Sequence, residues 1–334
     1  MIKKIILSIF CIALCSCSQP LYKDTFIISG TYLEVVSSHK EAAKIVHEEF
    51  KRLDKIFNMY DPESEVSRLN TSYDEPLEVS PELIEVLQIA QRVYHLSGGA
   101  FDISHGSLYI FWKELIKKGK VEKFPSHQEI SQLKELGGMN HLAVRPHDQT
   151  VTIKRKGLKV DLSGIAKGYI VDRAVLQLKK SGIDSALINA GGDIYCLGKI
   201  SYFGSSKRSG PKHWYRKRPW RIGIQDPGSG EDIIHAQELI DEAIATSGNY
   251  EQFFEFADKR YSHILDPRTG YPVANNIVSV SVISRNCTAA DSLATAFFIM
   301  GLEEIQNFFS ANPSMIKIFV VAHDGNSERM YVFQ

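Results

Sequence analysis

Three stretches of this 334-residue chain set carboxylates, hydroxyls and a histidine at spacings that chemistry can use. In "CTAADSLATAFFIMG", Asp291 and Thr295 stand four residues apart, so a helix would carry both on one face while Ala294, Phe297, Phe298 and Met300 turn inward. A carboxylate and a hydroxyl oxygen so placed suit a hard cation such as magnesium, which takes oxygen ligands and keeps positions for water and phosphate. An Asp favoured by the positive end of its own helix is the plainer alternative. In "VDLSGIAKGYIVD", Ser163 and Gly164 fall where a new helix exposes unpaired N–H groups, and Lys167 adds a charge one turn in. That is either a phosphate cradle or an ordinary helix start. In "YSHILDPRTGYPV", His263 precedes a rigid Asp-Pro-Arg-Thr-Gly turn, in which proline fixes φ, glycine permits positive φ and aspartate caps N–H groups.

The elements that must position these groups follow from periodicity. Ala42, Val46, Phe50, Leu53 and Phe57 recur at helical spacing between His39 and Met59. A second helix opens with Ser80 as N-cap and Pro81 at its first position, and stops at Gly98-Gly99. "FIISGTYLEVV", "HLAVRP", "TVTIKR", "LKVDLS", "SALINA", "WRIGIQDP", "NIVSVSVIS", "MIKIFVVAH" and "RMYVF" read as strands. Helices are expected from about Ile165 to Lys180 and from about Ala289 onward. The glycine turns "SGGAFDIS" and "NAGGDIY" bring Asp102 and Asp193 to a common edge, while Lys199 to Arg218 reads as a basic, solvated loop. The sum is an α+β fold with a mixed, largely antiparallel sheet flanked by helices, as a single large domain or two fused subdomains.

Bulk properties narrow the classes. The 39 basic and 39 acidic residues show no clustered basic excess, which argues against nucleic acid as a partner. The chain has no P-loop, no H-E-x-x-H, no G-x-S-x-G and no paired C-x-x-C. The N-terminus, with Lys3-Lys4, the apolar run Ile5 to Leu14 and then Cys15-Ser16-Cys17, has the layout of a signal peptide over 1–16 ending in a lipobox. Its apolar run is too short to span a bilayer. Cys17 is then the lipidated residue, 17–25 a tether, and 26–334 the working domain, exported and lipid-anchored on the periplasmic side of the membrane. Only Cys196 and Cys287 remain in the exported part, too few for a disulfide framework.

Taken in register, "MYDPESEVSRLN", "GGAFDIS", "DLSGIAKGYIVD", "NAGGDI", "RIGIQDP", "ATSGNYEQFFE", "YSHILDPRTGYPV" and "AADSLATAFFIMG" resemble the ApbE family of flavin transferases from about residue 29 to 302. Each motif is weak alone; eight in order are specific. The resemblance implies an enzyme that binds FAD with magnesium and moves the FMN half onto a Thr or Ser hydroxyl of an exported acceptor, such as a membrane redox-complex subunit, releasing AMP. It implies metal ligands at the Gly164 carbonyl, Asp291 and Thr295. Nucleotide contacts would come from Asn58, Met59, Tyr60, Asp102, Lys167, Ser247, Gly248, His263 and the Ile264 backbone. The chain departs from the family in carrying Ser29 before Gly30-Thr31, where Met is common.

His263 is the expected base, because imidazole titrates near working pH. Asp266 beside it would orient the ring or hold the loop, Thr269 is architectural, and Arg268 pairs with either a carboxylate or phosphate. Two other readings fit the same residues: a magnesium-dependent FAD pyrophosphatase giving FMN and AMP, and a non-catalytic flavin-binding lipoprotein.

Overall fold

Chain order and spatial order coincide in the main sheet. Strands β1 (Tyr22–Ile28), β2 (Thr31–Ser37), β3 (Ala186–Ala190), β4 (Asp193–Leu197), β5 (Glu242–Gly248), β6 (Ile277–Ser284), β7 (Lys317–Asp324) and β8 (Ser327–Phe333) lie side by side in that order. Every neighbouring pair is antiparallel. The only parallel pairing among the described residues is an isolated bridge, His105 to Lys159. The computed structural model describes residues 21–119, 121–204, 214–228, 232–249, 253–257, 259–312, 316–325 and 327–334. The signal peptide and the tether from Cys17 to Pro20 lie outside the described residues; the rest of the expected tether is not a tether, because Tyr22 to Thr25 already pair with Glu34 to Ser37 as part of β1. Among the described residues no helix is long and apolar enough to cross a membrane.

Among the described residues seven α-helices accompany the sheet: α1 (Ala42–Phe57), α2 (Glu65–Thr71), α3 (Pro81–Leu96), α4 (Gly106–Lys118), α5 (His127–Glu135), α6 (Ala166–Lys180) and α7 (Cys287–Ala311). One sheet face packs on α1, α6 and α7 through Leu33, Val35, Val46, Leu53, Ile170, Ala174 and Ile188, all essentially without solvent contact. The hairpin Trp220–Gln225/Ile233–Leu239 covers part of the other face, burying Trp220, Ile222 and Ile224 against Cys196, Ile244, Ile283 and Phe319. Being covered on both sides explains why all eight residues of β6 are buried, serines included. A satellite cluster of Leu108, Trp112, Leu115, Ile130 and Leu265 sits under α4, α5 and the loop that follows His263.

The expected α+β architecture is therefore the one formed, with four local corrections. "FIISGTYLEVV" is two strands, folded back at Ser29 and Gly30, which adopt φ of 52° and 74°. "LKVDLS" joins no ladder: the Asn70 side chain brackets Val160, accepting from its N–H and donating to its C=O, and so takes the place of a neighbouring strand. The expected loop from Lys199 to Arg218 has paired arms instead, with Ile200–Gly204 antiparallel to Trp214–Arg218. α7 starts at Cys287, earlier than expected, because the Asn286 side chain caps it by accepting from the Ala289 N–H.

Candidate active site

α6 and α7 approach closely at one point, and that point builds the site. A Cβ on Gly168 would collide with the Cys287 carbonyl and stand 2.8 Å from the Asp291 Cβ, so only glycine lets the two helix starts touch. From α6, Asp172 reaches across to the start of α7, where its carboxylate accepts from the Cys287 N–H (2.7 Å) and from the N–H and hydroxyl of Thr288 (2.8 and 2.5 Å). In return, Asp291 Oδ2 on α7 accepts the Gly168 N–H at 3.0 Å. Each helix thus places a carboxylate at the positive end of the other. Burial raises the pKa of both acids, and for Asp291 the neighbouring Asp193 adds to that effect against the opposing pull of Lys167, pushing it up to about 7.

The Gly168–Asp291 bond has a consequence for Gly164. In a continuous helix the Gly168 N–H would bond the carbonyl four residues back. Here it turns to Asp291, and Gly164 itself packs beside Thr295, whose Oγ1 would lie 3.5 Å from a Cβ built on Gly164. Ser247 Oγ on β5 meets Thr295 Oγ1 at 3.2 Å. Gly164, the Asp291 carboxylate and the Thr295 hydroxyl therefore line one cavity and offer oxygen donors, a set that suits a hard cation better than zinc. No group of three or more His, Cys, Asp or Glu residues able to hold a metal occurs among the described residues.

These groups open into a cavity of about 680 Å³ lined by Asp102, Gly164, Lys167, Ser247, Gly248, His263, Ile264, Asp291 and Thr295, among others. Nine of the residues expected from the sequence are thus brought together. Lys167 is only a third exposed and donates to Asp193 Oδ2 at 2.6 Å. Burial disfavours its charge, but Asp193 and Asp291 outweigh that and raise its pKa, so the ammonium stays charged. Asp102 is fixed by its own turn, accepting the N–H and hydroxyl of Ser104 on Oδ1.

Asn58, Met59 and Tyr60 are not part of the lining. Asn58 is the C-cap of α1, bonding Asp54 through its N–H and side chain, and Met59 packs partly buried against the core. Tyr60 is 61% exposed at the rim and reaches the cavity only through Lys113, whose ammonium donates to its hydroxyl at 2.7 Å. Asp266 holds the loop and does not orient His263: its carboxylate oxygens take Arg268 Nε and Nη2, and Oδ1 also takes the Arg268 N–H. Arg268 is accordingly paired with carboxylates.

Sequence reasoning passed over several lining residues: Asp161, Tyr109, Lys113 and the Ile222–Gln225 arm of the hairpin. The alternation in "WRIGIQ" marked that arm as a strand, yet gave no sign that the strand would wall the cavity. Tyr109 donates to the Asp102 carbonyl at 2.9 Å; burial, reinforced by Asp102 and Asp161, keeps its hydroxyl protonated.

The fold and the cleft together define an α+β enzyme with an anion-receptive helix start facing an oxygen-donor cluster. The model of the ApbE family matches residues 29–320, and the chain belongs to that family. A FAD:protein FMN transferase of Vibrio cholerae is 34% identical over 93% of this chain and 89% of its own length. One of Treponema pallidum is 30% identical over 90% and 84%. Among solved structures, the flavin transferase ApbE of Vibrio cholerae aligns with a TM-score of 0.78 at 28% identity, covering 94% of this chain and 98% of that one. The ApbE protein of Thermotoga maritima aligns with the same TM-score at 31% identity, covering 93% and 96%.

Proposed function

We propose that this protein is a FAD:protein FMN transferase that moves the FMN half of FAD onto a threonine or serine hydroxyl of an exported acceptor protein and releases AMP. The carrying observation is that Gly164, Lys167, Asp291 and Thr295 share one cavity with His263, in a chain whose relatives bear that name.

The chemistry joins an acceptor oxygen to the FMN phosphorus and breaks the anhydride P–O bond, so that the electron pair leaves with AMP. Two pyrophosphate charges repel the incoming oxygen, and the cleft must offset them first. The Lys167 ammonium, in the first turn of α6, supplies a charged donor for the phosphate oxygens. Gly164, Asp291 and Thr295 would hold magnesium, which when bound neutralises the pyrophosphate and favours its cleavage. His263 takes the hydroxyl proton as the bond forms, and Ser247 and Gly248 close the wall behind Thr295. The N-terminal leader and Cys17 would deliver the enzyme to the outer side of a membrane, where acceptors such as redox-complex subunits reside.

The test is incubation of the chain with FAD, magnesium and an acceptor domain, followed by in-gel flavin fluorescence and quantification of AMP. Fluorescent acceptor should appear with AMP in equal amounts, and should vanish with EDTA or when the acceptor threonine becomes valine. Prompt AMP release without acceptor would make the protein a FAD pyrophosphatase instead.

A further inference from the structure

The loop that carries His263 and the helix that carries Asp291 and Thr295 come from different parts of the fold, yet one side chain bridges them. Arg268 binds Asp266 within its own turn, with Nε 3.0 Å from Oδ1 and Nη2 3.0 Å from Oδ2. Its remaining nitrogen, Nη1, donates to Glu304 on α7 at 2.9 and 3.2 Å. Its aliphatic stem passes Gly99, where a Cβ would lie 3.9 Å from Arg268 Cγ, next to the turn that holds Asp102. Glu304 lies just beyond Gly301, the one residue inside α7 with non-helical dihedrals, whereas Asp291 and Thr295 lie before it. Asn275 ties the chain to the same break, donating to the Phe298 carbonyl at 2.7 Å.

We propose that Arg268 is a positioning residue: through Glu304 it sets the His263 loop at a fixed offset from the Asp291–Thr295 face of α7. The proposal rests on the reading of His263 as base and of Asp291 with Thr295 as the metal-holding pair. The geometry favours alignment over stability as the purpose. Arg268 is 32% exposed and Glu304 44%, so solvent screens their pair and its worth to folding is small. Alignment is a different matter, since a displacement of about 1 Å between reacting groups can cost about a hundredfold in rate. A planar fork is also what the task needs, because one guanidinium must face two carboxylates at once; lysine offers a single point charge.

A double-mutant cycle on the full chain with FAD, magnesium and an acceptor domain tests this: Arg268→Gln, Glu304→Gln and the double variant. Arg268→Gln should lower kcat for transfer about tenfold, Glu304→Gln less, and the double variant no further than Arg268→Gln alone. KM for FAD should stay within about twofold and Tm within about 2 °C. Fully additive losses, an unchanged kcat, or a raised KM with kcat intact would overturn the proposal, the last by placing Arg268 on the nucleotide. His263→Ala separates the two layers of inference. If it abolishes transfer while Arg268→Gln does nothing, positioning alone fails; if His263→Ala transfers normally, the reading of the base fails and the proposal falls with it.

Discussion

The two halves of the cleft are built in opposite ways. The half formed by α6 and α7 is buried: Asp291 is 5% exposed, Gly168 leaves no room for a methyl group, and two carboxylates are exchanged between helix starts. The His263 half rides on a satellite cluster around Trp112 and is fastened by a turn, a tryptophan N–H and partly exposed ion pairs. Charge must be held at a fixed place in a low-dielectric setting, which requires burial. A base that meets a protein-borne hydroxyl must be reachable from outside, which forbids it. Substitutions in the first half should therefore change stability and activity together, and substitutions in the second should separate them.

Gly168→Ala tests the buried half most severely. Alanine would gain about 1 kcal/mol in helix propensity, but its methyl meets the Cys287 carbonyl and the Asp291 Cβ, both on a packed helix that cannot swing aside. The collision wins, at about 3 kcal/mol, the top of the range for overpacking. Denaturant unfolding should show that loss, and transfer should fall with it; a stable, active alanine variant would mean that the helices are not locked together here.

Asp291→Asn should also change stability and activity in the buried half, but in opposite directions. The Asp291 carboxyl is raised to about 7, first by burial and then by Asp193. A folded pKa above the ordinary carboxylate value means that the native state holds the proton more tightly than the unfolded chain does. Stability is then greatest below about pH 4 and falls as pH rises towards 7. Asparagine can still accept the Gly168 N–H without carrying charge. In EDTA the variant should match the wild type near pH 4 and melt several degrees higher at pH 8, while transfer is lost. Magnesium should raise the melting temperature of the wild type alone. A less stable Asn variant at pH 8 would remove burial as the dominant cost.

The sequence disclosed those features that a residue imposes on its own element. Ser80 before Pro81 capped a helix where expected, and the spacing of Asp291 and Thr295 put both on one helical face. Asp266 and Thr269 behaved as turn builders. Partners distant in the chain were not legible. Asp172 caps a helix more than a hundred residues away, Asn70 stands in for a strand beside Val160, and Gly168 is small because of Asp291. None of these choices alters hydrophobic periodicity, which reports the face an element buries and not the element it meets. Asn58 lies off the cavity lining for a related reason: a helix end spends its polar groups on its own last turn before it can offer them to a ligand.

Trp112→Phe is the mildest probe and the one most specific to the His263 half. Trp112 is fully buried, and its Nε1 donates to the Gly270 carbonyl at 2.9 Å, anchoring the far end of the Asp266–Gly270 turn. Phenylalanine keeps an aromatic body in the satellite cluster but loses that bond. The cost to folding should be about 1 kcal/mol, well below that of Gly168→Ala. Transfer should nevertheless drop several-fold, with KM for FAD unchanged, because the loop is loosened where it bears the proposed base, His263, and the proposed phosphate and metal holders on α6 and α7 are untouched. A proportionate loss of FAD binding would show that the two halves are coupled through the core, and the contrast drawn between them would fail.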